Sequence, residues 1–103
     1  MANDIRIDRI IAELHDVYDP EIPVNIYDLG LIYSVDMDEE NKATIVMTLT
    51  APGCPVADML VQQVFEKAVS VDGVEDCFVD LTFDPPWDKS MMTEEAKLEL
   101  GFF

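Results

Sequence analysis

One thiol, Cys54, sits in Thr48-Leu-Thr-Ala-Pro-Gly-Cys-Pro-Val56, where a strand-like run passes into a helix-like run. Residues 44–50 alternate polar and apolar side chains, the pattern of a half-buried strand. Ala51-Pro52-Gly53 breaks that pattern. Pro55 suits the first position of a helix, where its missing N–H is not needed. Cys54 therefore falls at or near the N-cap, facing free backbone N–H groups and the positive end of the helix dipole. Such a setting lowers a thiol pKa and favours the thiolate, the form that attacks electrophiles and binds metals. The competing reading is a small apolar residue tucked under a loop, since free cysteine is among the most buried residue types.

The other groups with chemistry to offer carry weaker signals. Cys77 lies on the apolar parity of a strand and reads as a buried structural thiol. Two cysteines without a CxxC spacing make neither a disulfide framework nor a structural zinc site. His15 lies beside an apolar helical stripe and reads as a surface or rim residue. Asp19, Glu21 and Asp28 fall in a connection, where a carboxylate is by default a cap, a turn residue or a solvated charge. A thiol enzyme with Cys54 as nucleophile and His15 as base is the weakest reading.

The elements that must position Cys54 follow in chain order. Residues 4–18 read as a helix with an apolar stripe of Ile7, Ile10, Ile11, Leu14 and Tyr18, capped by Asn3 or Asp4 and ended by Asp19-Pro20. The connection that follows, to Gly30, is too apolar for a solvated linker (Ile22, Val24, Ile26, Tyr27, Leu29) and is expected to pack on the body of the domain. Residues 31–37 and 44–50 alternate and form a hairpin through Asp38-Glu-Glu-Asn-Lys42. Residues 55–71 read as a helix whose polar stripe holds Asp58, Gln62, Gln63, Glu66, Lys67 and Ser70. Residues 74–83 form a third strand, parallel to the second because a helix joins them. A rigid loop, Asp84-Pro-Pro-Trp-Asp-Lys-Ser90, leads to a short helix over residues 93–100, capped by Thr93 and stopped by Gly101. Trp87, Met91 and Met92 make a soft apolar cluster that covers the core or receives a partner; Phe102 and Phe103 invite association if not packed down. The fold class expected is α+β, a two-layer sandwich of helix-strand-strand-helix-strand plus a short C-terminal helix, with a three-stranded mixed sheet. Residues 1–103 read as one domain.

Composition narrows the functions. Six Lys and Arg stand against 22 Asp and Glu, a net charge of −16. Phosphate backbones and anionic lipid surfaces would be repelled, so neither nucleic acid nor membrane is expected as a partner. No apolar run is long enough to span a bilayer, and the first residues lack a signal-peptide core. A cytoplasmic protein with reduced thiols is expected.

Three blocks, taken together, resemble a known family. They are Asp19-Pro-Glu-Ile-Pro-Val-Asn-Ile-Tyr-Asp-Leu-Gly-Leu-Ile-Tyr33, Thr48-Leu-Thr-Ala-Pro-Gly-Cys-Pro55, and Phe83-Asp-Pro-Pro-Trp87 with Met92-Thr93 and Leu100-Gly101. In this order the chain is similar to the SufT/PaaD-like iron–sulfur assembly family, of MIP18 type. The resemblance implies an accessory factor in iron–sulfur cluster assembly or client maturation, not an enzyme. It implies a pocket made of Cys54, Thr50, Asp19 and Glu21. It implies no permanently bound cofactor, and allows a transient or shared iron–sulfur cluster or iron with Cys54 as a ligand. Nearby carboxylates would oppose the helix dipole in setting the thiol pKa. The implied partners are assembly proteins and apo-clients, with a homodimer allowed. The alternative is a metal-free adaptor, serving assembly proteins or a PaaD-like oxygenase complex, that docks through Trp87, Met91, Met92 and Phe103.

Overall fold

The computed structural model describes residues 4–19, 23–50 and 57–101. The elements are α1 (Ile5–Leu14), β1 (Ile32–Met37), β2 (Lys42–Met47), α2 (Ala57–Val69), β3 (Asp76–Leu81), a single 3-10 turn (Lys89–Met91) and α3 (Glu94–Leu100). The sheet has the order β1-β2-β3. β1 runs antiparallel to β2, and β3 parallel to it, as the intervening helix requires. The three-stranded mixed α+β sheet is the expected architecture.

α1 starts at Asp4, whose carboxylate accepts the Arg6 N–H at 3.0 Å. It ends earlier than its periodicity suggests. His15, Asp16 and Val17 bond to carbonyls three residues back, which tightens the last turn. That tightening brings Val17 into the core and leaves Tyr18, the expected last member of the stripe, 54% exposed. Ile10 and Leu14 are fully buried, while Ile7 and Ile11 are half-buried.

Arg6 holds three segments at one corner. Its guanidinium pairs with Asp4 at 2.7 Å and donates to Asn41 Oδ1 at 2.7 Å and to the Gly73 carbonyl at 2.9 Å. Asn41 closes the β1–β2 turn with a positive φ of 66°, and its amide donates to Glu75. This hydrogen-bonded pairing pulls the Asp4 carboxyl below, and the Arg6 guanidinium above, its ordinary value.

Helices cover one face of the sheet, α1 over β1 and α2 over β3. Ala43, Ile45, Met47 and Cys77 point into that interface, against Ile10, Leu14, Leu60, Val64 and Ala68. The alternate residues Thr44, Val46, Phe78 and Asp80 line the other face. β2 and β3 end at Met47 and Leu81, two or three residues before the sequence pattern does; a single backbone bond continues each pairing.

The apolar connection packs down as expected. Val24, Ile26, Leu29 and Leu31 are buried. Asn25 organises its turn, accepting the Asp28 N–H and donating to the Asp28 carboxylate, both at 2.9 Å. Gly30 has φ 83°, and a Cβ there would fall on the Met91 carbonyl, so the C-terminal segment passes close above it.

Candidate functional site

Cys54 and Glu21 lie outside the described residues, as do Phe102 and Phe103. The site is therefore built from its flanks. The chain leaves β2 through Thr48, Leu49 and Thr50 and re-enters described structure at Ala57, the first residue of α2. Cys54 is thus carried on the link from the central strand to the helix that covers β3.

All three sequence blocks meet at the end of the sheet from which that link springs. The Thr48 N–H bonds to the Leu31 carbonyl at 2.8 Å, joining the second block to the first. The Thr82 N–H bonds to the Met47 carbonyl at 2.8 Å, bringing the third block alongside. Tyr33 Oη donates to the Pro85 carbonyl at 2.7 Å, and Trp87 Nε1 donates to the Leu29 carbonyl at 2.6 Å. The Thr93 N–H reaches the Asp28 carbonyl at 2.9 Å. Blocks far apart in sequence are thus tied at a single end of β2 by direct hydrogen bonds.

The sequence-predicted residues divide by environment. Asp19 is 5% exposed and engaged with a partner, so it is not the solvated charge of the default reading. Thr50 is half-buried. Thr48, placed by alternation on the polar face, has a fully buried hydroxyl with no hydrogen-bond partner among the described residues. In the apolar cluster, Trp87 and Met91 are half-buried, and Met92 is 4% exposed within the core. A partner-contact role for Met92 is corrected accordingly: its side chain fills the interior, and only Trp87 and Met91 retain exposed surface.

The second thiol stands apart. Cys77 pairs with Ala43, four residues back along β2 from Met47. At about 3.3 Å per residue this is about 13 Å from the end where the Cys54 link begins. Burial, with Asp76 beside it, pushes the Cys77 thiol up to about 11. It is the structural thiol that strand parity indicates.

Sequence reasoning did not join His15 to Asp28. The imidazole Nδ1 lies 2.8 Å from the Ile11 carbonyl and therefore donates to it. Nε2 lies 3.6 Å from Asp28 Oδ1, and the ring sits 4.7 Å from that of Tyr27. His15 thus positions the Asp28 turn. Only the placement of both residues next to apolar positions hinted at this contact.

Among the described residues no group of three or more His, Cys, Asp or Glu side chains is placed to hold a metal ion. A conventional iron–sulfur cluster takes about four ligands, usually thiolates. The whole chain has two cysteines, one of them buried and protonated. The residues do not fit a resident cluster held by this chain alone. None of the described helices is long and apolar enough to cross a membrane.

Comparison with known proteins agrees with the convergence of the three blocks. The profile of a family described as "Iron-sulfur cluster assembly protein" matches residues 7–81. An "Fe-S protein maturation auxiliary factor" of Porphyromonas gingivalis is 58% identical, over 90% of this chain and 89% of its own length. The "Fe-S protein maturation auxiliary factor SufT" of Staphylococcus aureus is 40% identical, over 82% and 97% respectively. The crystal structure of a domain of unknown function, DUF59, from Bacillus anthracis superposes with a TM-score of 0.87 at 40% identity, covering 96% of this chain and 94% of that one. With a family profile spanning most of its length and relatives this similar end to end, the chain belongs to the iron–sulfur cluster assembly protein family.

Proposed function

We propose that this protein is an auxiliary factor in the maturation of iron–sulfur proteins, and that Cys54 is the sulfur through which it handles iron or a cluster as cargo. The observation that carries the reading is the convergence of the three blocks on the end of β2 that bears the Cys54 link. The other thiol is buried about 13 Å away along the strand. One remaining thiol, Cys54, gives one ligand. The remaining ligands come from a client, an assembly protein or a second copy of the chain, so the bound state is shared and transient.

In this reading Cys54 loses its proton to solvent as its sulfur bonds to iron, and the helix dipole at the start of α2 favours that loss. Asp19, Glu21 and Thr50 are the residues assigned to work with Cys54 in this reading; a carboxylate among them would offer an oxygen ligand or orient the thiol. The protein acts in the cytoplasm on apo-clients delivered with assembly proteins, and it does not turn over a substrate. The names of the relatives speak for maturation and give no support to a metal-free adaptor.

The test is iron and sulfide content after anaerobic reconstitution, read together with mass from size-exclusion chromatography. Wild type and Cys77→Ser are expected to load alike and Cys54→Ala to load far less. Equal loading of Cys54→Ala removes Cys54 from the mechanism.

A further inference from the structure

On the face of the sheet turned away from α1 and α2 the described side chains are exposed or half-buried. Two rows of side chains cross it: Asp36–Thr44–Phe78 and Ser34–Val46–Asp80. Phe78 is 64% exposed, at the centre of an edge strand. Asp36, Asp76 and Asp80 are exposed around it, while Thr44, Val46 and Ser34 are half-buried. A cation, Lys42, lies on the same face in register with Asp76, and its backbone N–H bonds to the Asp38 carboxylate. The surface is therefore a flat apolar centre inside an acidic rim.

The rim selects the occupant. A second copy would set Asp36 and Asp80 against their own kind, and like charges across an interface cost several kcal/mol. Nucleic acid and anionic lipid are repelled by the same field and by the net charge of −16. A basic protein surface is attracted, and an apolar side chain at its centre would cover the Phe78 ring, a residue type that buries about 150–250 Å². Strand addition along β3 is hindered, because the Asp76 carboxylate already takes the Cys77 N–H at 2.8 Å. The partner lies across the face and does not extend the sheet.

We propose that the open sheet face centred on Phe78 docks a partner protein through an apolar side chain flanked by Lys or Arg. Phe78 pairs with Thr44, three residues from the end of β2. A partner seated there lies about 10 Å from the start of the Cys54 link. The inference stands on this surface alone and does not rest on the chemistry of Cys54.

The experiment is a titration of the full chain with a blocked lysine-rich peptide carrying a central leucine, followed by amide chemical shifts. Shifts are expected to centre on residues 34–36, 44–46 and 78–80. Phe78→Thr and the pair Asp36→Asn, Asp80→Asn are each expected to raise the Kd about fivefold or more, close to 1 kcal/mol. Glu95→Gln with Glu99→Gln, which removes the same charge from α3, is expected to leave the Kd within about twofold. Cys54→Ala is expected to bind as wild type, which separates this surface from the thiol reading. Shifts spread over the whole acidic surface, or equal weakening by the α3 pair, would show unspecific attraction and overturn the proposal. A Phe78-dependent dimer in sedimentation would assign the face to a second copy and overturn it as well.

Discussion

Cys77 and Phe78 are neighbours in sequence and opposites in environment. Cys77 faces the helices, is buried, and holds its proton to about 11. Phe78 faces away and is largely exposed. The same alternation separates Ile45 and Met47 from Thr44 and Val46 on the central strand. One face of the sheet is spent on stability and the other is left for contact. A side chain's exposure, more than its chemical type, decides which role it takes: a reactive group is hidden and a greasy one is displayed.

The contrast is sharpest in stability. Ile45→Ala removes a fully buried side chain between the sheet and its helices and is expected to cost about 2–5 kcal/mol in urea unfolding. Phe78→Thr, one strand away on the other face, is expected to stay within about 0.5 kcal/mol of wild type. A comparable loss at Phe78 would mean that the open face is part of the core.

The next largest effect is expected where the C-terminal segment closes one end of the sheet. Gly30→Ala places a Cβ on the Met91 carbonyl and asks alanine to hold φ 83°. The expected loss is about 2–3 kcal/mol, with the midpoint of thermal unfolding as the readout. Trp87→Phe keeps most of the ring but drops the bond to the Leu29 carbonyl, for an expected loss of about 1–2 kcal/mol. If Trp87→Phe is neutral, the segment is held by packing alone.

Period-two and period-three-to-four patterns made the order of helices and strands legible in the sequence, along with the parity of Cys77 and the parallel crossover, because alternation and burial are the same fact seen twice. Element ends were less legible. Tyr18 looks like the close of the α1 stripe, yet tightened hydrogen bonds after Leu14 substitute Val17, and no local propensity announces that. The Arg6 corner and the His15–Asp28 contact were not legible, since each depends on residues dozens of positions apart or on a turn whose direction only the fold sets. At the candidate site one pocket was implied by the family resemblance. The hydrogen bonds add the reason the blocks share an end of β2, while Cys54 and Glu21 themselves lie outside the described residues.

The smallest expected effect is the one that isolates Cys77. Its thiol has an ordinary value of 9.0 and is raised to about 11 by burial, helped by Asp76. Below 9.0 both folded and unfolded chains carry the proton, and the contribution of the thiol to stability is complete. Between 9.0 and about 11 the unfolded chain releases a proton that the folded chain keeps, so rising pH favours unfolding. Other groups titrate in that window, but Cys77→Ala removes only this one. The stability gap between wild type and Cys77→Ala is therefore expected to be flat at neutral pH and to shift against wild type as pH rises through the window. Alkylation gives the companion readout: below 9.0 the native protein is expected to expose one fast thiol, lost in Cys54→Ala and kept in Cys77→Ala. Two fast thiols would erase the difference between the faces of the sheet, because Cys77 would then be as available as Phe78.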